Sequence, residues 1–229
     1  MHLRKVNTIR VVGMERNRDR RRRPPQRPRY QRREPRKKKQ FIKKFRELVV
    51  LDLLLHGHPE EDKPSWSKTP IAQVLTFPDF VLYEVKCNRD SDIKIQEKGL
   101  YEAFQQQNKL REVLKKINYQ DLTSTSKALI QPILETEILN YEEEFINFFN
   151  NSTSITPRMH SLKLLPGIGQ KHMWEIIEAR NRQKFTTFQD IKDRTSMSHP
   201  SKQIALRIIK ELQREGVKYY LFSKTHKYE

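Results

Sequence analysis

The chain has 229 residues and a formal net charge of +18, from 46 Lys and Arg against 28 Asp and Glu. The excess is concentrated: residues 1–46 hold 20 of the bases and three acids, a net of +17, which leaves +1 for all the rest. A uniformly basic surface is excluded, and an ordinary cytosolic enzyme is an incomplete description, because such an enzyme has no need of a basic arm.

Other bounds follow from composition. Residues 47–229 suffice for one large domain or two small ones. The longest mostly apolar run, 48–55, contains Asp52 and is far too short to span a bilayer, so no membrane partner is expected. The start of the chain lacks the apolar stretch of a signal peptide, and the absence of serine before Ser65 argues against a transit peptide. The single cysteine, Cys87, leaves no disulfide framework and no Cys-based zinc site within one chain. It reads as a small apolar residue closing a strand. A reducing, cytoplasmic setting fits.

The arm comes first in the chain. Its segment 16–39 reads RNRDRRRRPPQRPRYQRREPRKKK and has no aliphatic residue. Pro24, Pro25, Pro28 and Pro35 prevent continuous helix, and high charge with nothing to bury predicts disorder in isolation. The charges are Arg16, Arg18, Arg20, Arg21, Arg22, Arg23, Arg27, Arg29, Arg32, Arg33, Arg36, Lys37, Lys38 and Lys39, with Tyr30 as an interleaved aromatic. Guanidinium groups fork onto phosphates and stack on bases, so nucleic acid is the expected partner. Arginine-rich extensions that fold on binding are a recurrent RNA device, which favours RNA over DNA. The plainer alternative is a solubilising tail or an anchor to an anionic membrane, but no amphipathic helix or lipidation motif accompanies it.

Short strands are expected next, at 48–55, 71–77, 80–85 and 92–96, with Pro78-Asp79 as a turn. Strands without intervening helices point to a small antiparallel OB-like barrel over 47–99. His56 and His58 stand two apart, with Glu60, Glu61 and Asp62 after them. No second His or Cys cluster stands at ligand spacing, so a polar turn is the reading preferred to a metal site.

From Leu100 the chain reads as helical. Leu100, Phe104, Leu110, Val113, Leu114 and Ile117 approximate the helical period. After a break at 118–122, Thr123, Ser124 and Ser126 are candidate N-caps, and Pro132 sits where one helix would end and another begin. Ile133, Leu134, Ile138, Leu139, Phe145, Ile146 and Phe149 mark an apolar stripe. These connecting helices occupy 100–152.

The strongest local signal is SLKLLPGIGQKHMWEII at 161–177, a helix-hairpin-helix pattern opening a domain at 153–215. A short helix with Leu162 and Leu165 would run into Pro166-Gly167-Ile168-Gly169, and a second helix would follow with Met173, Ile176 and Ile177 inward. Gly167 and Gly169 permit a tight turn and a close approach of phosphate to backbone. Amides at the start of the second helix, together with its dipole, favour an anion there. Ile168 would anchor the hairpin, and Gln170 and Lys171 would assist the phosphate. Such contacts hold a backbone and carry no base code. The alternative is a plain helix-helix turn.

The unit continues through Phe185, Phe188 and Ile191, where a Phe-x-x-Phe segment opens the next helix. A second hairpin would fall at RTSMSHPS, 194–201, without any glycine, before a helix from about Lys202 to Glu215. Ser201, Lys202 and Gln203 are therefore weak candidates for backbone contact. The extension 216–229 holds Tyr219, Tyr220, Phe222 and Tyr228 among lysines, and reads as a peripheral strand or a second RNA contact.

The segments LDLLLHGHPEEDKPSW, INYQDLTSTSKALIQPILE, FINFFNNSTSITPRMHSLKLLPGIGQKHMWEIIEAR and FQDIKDR resemble an archaeal family known as a domain of unknown function and credited with RNA binding. The resemblance covers about residues 47–215. It implies an OB-like or S1-like half joined to a helix-hairpin-helix half, and a cytosolic protein. Family genes that neighbour those of a ribosomal RNA dimethyladenosine methyltransferase and a ribosomal protein imply ribosomes or their assembly. Pro166, Gly167, Ile168 and Gly169 carry over as the hairpin; His56, Gly57, His58 and Pro59 carry over as a motif without an assigned role. The arm and the C-terminal extension fall outside the resemblance.

The expectation is an α+β protein that binds ribosomal RNA, beside neighbouring ribosomal proteins, through the arm and the hairpin. It would be a structural or assembly protein rather than an enzyme, with no cofactor and no small-molecule substrate. A DNA-binding protein of repair or recombination is the second reading. A glycosylase or nuclease is the third; Asp190 and Asp193 lie downstream of the hairpin, but no paired acids, Ser/His/Asp set or metal cluster converges.

Overall fold

The computed structural model describes residues 47–58 and 68–224. The arm residues 16–39, Glu60, Glu61, Asp62 and Tyr228 lie outside the described residues. The described residues belong to one compact unit.

The chain begins with three antiparallel strands: β1 (Glu47–Leu54), β2 (Ile71–Phe77) and β3 (Leu82–Cys87). A turn at Pro78-Asp79 joins the last two, as the sequence predicts, with Phe77-Pro78 in cis. Then come β4 (Lys98–Leu100), α1 (Tyr101–Gln106) and β5 (Leu110–Lys116). The sheet order is β4-β1-β2-β3-β5, so β4 and β5 lie at opposite edges, with no pairing between them among the described residues.

The sheet is thus open, where the sequence predicts a closed OB-like barrel. Two local causes are visible. Segment 92–96 is irregular rather than a strand, tied to β1 by Gln96 N to Val50 O at 2.7 Å and Val50 N to Glu97 O at 3.0 Å. The strand that does form, β4, has only three residues. Helices cover the faces instead. Tyr101 and Phe104 of α1 pack with Leu48, Val50, Val74 and Val85 on one side. Val49, Leu51, Leu75, Phe77 and Leu82 face the remaining helices on the other. β2 is consequently buried along its whole length.

The predicted helix from Leu100 to Ile117 is also corrected. Asn108 adopts φ +56°, and the Lys109 amide bonds back to the Phe104 carbonyl at 2.8 Å, which ends α1. LREVLKK at 110–116 then pairs along β3, although its Leu, Arg, Glu and Lys favour helix; the open sheet edge outweighs propensity.

The helical half comprises α2 (Ser124–Asn140), α3 (Glu142–Asn151), α4 (Gln170–Arg182), α5 (Phe188–Arg194) and α6 (Pro200–Gln213). α2 is capped by Thr123, whose Oγ1 accepts from the Ser126 amide at 3.1 Å. It runs through Pro132 without a break, so Pro132 is not a boundary. A small ribbon, β6 (Ser154–Thr156) and β7 (Met159–His160), precedes the hairpin segment. Among the described residues no helix is long and apolar enough to cross a membrane.

Among the described residues, to 224, the extension forms no strand. Glu211 of α6, fully buried, accepts from the Leu221, Phe222 and Ser223 amides at 2.7, 3.1 and 2.8 Å, while Arg207 pairs with it at 2.8 Å. Ser223 then donates to the Phe80 carbonyl, and Lys224 pairs with Asp79 at the β2–β3 turn. Residues 219–224 therefore strap the helical half to the sheet.

Candidate nucleic-acid interface

The hairpin segment opens with a 3-10 turn at Ser161–Leu164, shorter than the helix expected there. The Leu162 amide donates to His160 Nδ1 at 3.1 Å, which caps this turn. Burial and an Arg180 guanidinium nearby hold the His160 imidazole below its usual pKa. Leu162 and Leu165 are buried, and the Ile168 amide returns to the Leu165 carbonyl at 3.2 Å.

Gly167 has φ +81°, in the left-handed region that glycine tolerates. Gly169 is the N-cap of α4 and offers no side-chain acceptor to the helix. A Cβ at Gly169 would have nothing within 4 Å, so the space over the helix start is open. The first i to i−4 bond of α4 runs from the Met173 amide to the Gly169 carbonyl at 3.1 Å, which leaves the amides of Gln170, Lys171 and His172 at the free end. Gln170 and Lys171 are exposed. Ile168 is buried and acts from inside as the anchor of the turn.

Gly167, Ile168, Gly169, Gln170 and Lys171 thus come together as one exposed turn and helix start. The turn before α6 and the start of that helix lie close by. Gln203 of α6 would stand 3.4 Å from a Cβ at Gly167, and its own Oε1 is buried without a hydrogen-bond partner among the described residues. Ser196, in the turn before α6, donates to Glu175 of α4. Pro200 occupies the first turn of α6, where its missing amide costs nothing.

Two arginines of this region are committed to the fold. Arg180 donates to the Phe149 carbonyl and to Ser152 Oγ at 2.7 Å each, and to the Ser152 carbonyl at 2.8 Å. Arg194 donates to the Ala179 and Gln183 carbonyls at 2.6 Å each and lies over the Phe185 ring. Each closes the C-terminus of a helix, where a cation is favoured. Asp190 receives the Thr186 amide and pairs with Arg194, and Asp193 receives Gln189 Nε2. These acids are held as helix-capping and surface partners.

A second cluster was not foreseen from the sequence. Asp52, Gln73, Glu84 and Lys115 stand in register across β1, β2, β3 and β5 on the face covered by α2. Asp52 reaches this face because Leu51 is an extra residue in the β1–β2 ladder. Asp52 accepts from Thr123 Oγ1 at 2.6 Å. Gln73 Oε1 accepts from the Thr123 amide and from Ser126 Oγ, and its Nε2 donates to the Asp121 carbonyl. Glu84 Oε2 lies 3.0 Å from His58 Nε2 and 3.4 Å from Lys115 Nζ. The row seats the start of α2 on the sheet, and His58, between β1 and β2, reaches Glu84 of β3; His56 is exposed. Cys87 is buried at the end of β3, and burial pushes its thiol up to about 12.

One exposed aromatic also lies on α4. Trp174 is 52% exposed, one turn beyond Gln170 and Lys171. The sequence signal for it was present, because Trp174 falls between the inward positions Met173 and Ile176.

Comparison with known proteins places this geometry in a family. A model for a protein family of unknown function, DUF655, matches residues 45–224, which includes most of the extension. The uncharacterized protein MJ0038 of Methanocaldococcus jannaschii is 38% identical over 179 residues, 78% of this chain and 79% of its own. The crystal structure of Af1531 from Archaeoglobus fulgidus, itself described under the same family model, superposes with a TM-score of 0.69 at 33% identity, covering 78% of this chain and 99% of that one. On these matches the chain belongs to the DUF655 family.

Proposed function

We propose that this protein binds RNA and associates with the ribosome, as a structural or assembly protein of the cytoplasm, holding ribosomal RNA beside neighbouring ribosomal proteins. The observation that carries this reading is the start of α4: a left-handed Gly167, an open space over Gly169, free first-turn amides and an exposed Lys171. A backbone phosphate suits that arrangement, since the amides point at it and the helix dipole favours its charge. In this reading 161–182 is a helix-hairpin-helix clamp, with the 3-10 turn as a shortened first helix.

The +17 arm supplies affinity of a different kind, through counterion release along the phosphate track. The sheet, five-stranded as in an OB barrel but open, serves as a support, because α1 and the α2 side bury both of its faces. No catalytic step is assigned to any residue, and no cofactor or small-molecule substrate enters the reading.

Sedimentation of the native protein with ribosomal particles tests the proposal. Co-migration with a subunit, and ribosomal RNA enriched after crosslinking in cells, are the expected results. Migration only with free protein, with no ribosomal RNA enriched, overturns it. DNA crosslinked in preference to RNA would replace it with a repair or recombination role.

A further inference from the structure

We infer that Trp174 is a stacking platform for an unpaired RNA base next to the hairpin clamp, an inference that rests on the phosphate-binding reading of that clamp. Three observations carry it.

The first is exposure. Trp174 is 52% exposed, whereas Phe145, Phe149, Phe185 and Phe188 of this half are buried and Tyr141, Phe148 and Phe222 are partly buried against the core. A fold with room for them in its core has left this indole outside. Most of its apolar area therefore gains nothing from folding, and an aromatic face in water is a surface that another ring can cover.

The second is position. Residues three and four apart on a helix are neighbours, so Trp174 adjoins Lys171 and Gln170 on the exposed side of α4. Helical side chains lie over the turn preceding their own Cα, which brings the indole toward the first turn of α4 and the clamp. A nucleotide whose phosphate sits at the Gly169–Lys171 amides has its base within reach of that ring.

The third is the charge of the surroundings. Lys171 stands at the clamp end of α4 and Arg182 at its far end; the acids of this side are Glu175, whose carboxylate accepts from Ser196 Oγ, and Glu178, a full turn beyond Trp174. What favours an anion is the helix start itself with Lys171, and beside the exposed ring it accommodates a phosphate and a base together.

The consequence is selectivity for strand state. A backbone clamp alone does not distinguish a duplex from a single strand. Stacking on Trp174 needs a base that has left its own stack, so loops, bulges and strand ends are preferred over continuous duplex. Every base has a π face, so no particular sequence is favoured.

The test uses the full chain, with a short single-stranded RNA and a blunt duplex of the same length as probes. Trp174→Ala lowers single-strand affinity about tenfold, in line with the usual contribution of one base-aromatic stack, and leaves duplex affinity within about twofold. Trp174→Phe recovers most of the loss. Single-stranded RNA quenches the part of the emission that differs between the wild type and Trp174→Phe. Gly169→Val, which fills the space over the helix start, separates the two readings. If Trp174→Ala binds single strands like the wild type, or loses strand and duplex affinity equally, the stacking inference is overturned and Gly169→Val alone reports on the clamp. If neither variant weakens RNA binding, both readings fail. Quenching with a Trp174→Ala loss, but no Gly169→Val loss, keeps the platform and removes the clamp.

Discussion

Arg180 and Phe149 are joined by a hydrogen bond of 2.7 Å between a guanidinium on α4 and a carbonyl at the end of α3. With its two contacts at Ser152, this bond fixes α4 to α3, the helix that precedes it. Arg180→Met keeps much of the side-chain bulk but removes all three charged-donor bonds from a helix end. A loss of about 2–4 kcal/mol in chemical denaturation is expected, since bonds from charged donors are worth more than neutral ones. Arg180→Lys, which cannot form the fork, should recover only part of it.

Glu211 offers a larger effect. Its carboxylate is buried, paired with Arg207, and accepts three backbone amides of the strap. Glu211→Ala strands Arg207 without its partner and should destabilise the fold by about 3–5 kcal/mol. Limited proteolysis should then cut within 217–224, where the wild type resists. A resistant strap in the variant would mean that Arg207, through the Tyr219 carbonyl, with Ser223 and Lys224, holds it without Glu211.

The His160 cap predicts acid sensitivity of the hairpin. Only the neutral ring can accept the Leu162 amide at Nδ1, and the folded state holds the imidazole below its usual pKa of 6.5. A depressed folded pKa means that the unfolded chain binds the proton first as pH falls. The stabilisation is therefore full above about pH 6.5 and is lost as pH drops through the folded value. His160→Asn keeps an acceptor that does not titrate in this range. Its stability should fall less between pH 7.5 and 5 than that of the wild type, as read by denaturant titration at each pH.

The two glycines of the turn should separate stability from binding. Gly167→Ala places a Cβ at φ +81° and should cost about 1–2 kcal/mol of stability. Gly169 has a backbone any residue adopts, with nothing within 4 Å of a Cβ. Gly169→Val should therefore fold with little loss while weakening RNA binding severalfold. An unchanged affinity in a folded Gly169→Val would reduce the segment to a connection between helices.

Local chemistry made parts of this molecule legible in advance. β1 and β2 were visible because Val, Leu and Ile cluster between turn residues, and α2 because Thr123 precedes an apolar stripe. The turn at 166–169 was visible because two glycines flank a buried isoleucine. What escaped was set by partners distant in sequence. β5 looks helical by composition, and only the unpaired edge of β3 makes it a strand. The Asp52–Gln73–Glu84–Lys115 row is invisible in one dimension, because the extra Leu51 decides which face Asp52 occupies. The roles of Arg180 and Arg194 depend on helix-end carbonyls that only the fold brings to them.

The Glu211 carboxylate also imposes an order of events during synthesis. Its helix is translated before the strap, so for a time the acid has Arg207 but none of the three amides that later surround it. Burying it then would carry a desolvation cost that nothing yet offsets. Closure of the interior between α6 and the β2–β3 turn should therefore wait until Leu221–Ser223 have left the ribosomal exit tunnel. Nascent chains stalled upstream of that point should expose α6 to protease, and chains stalled well beyond it should not.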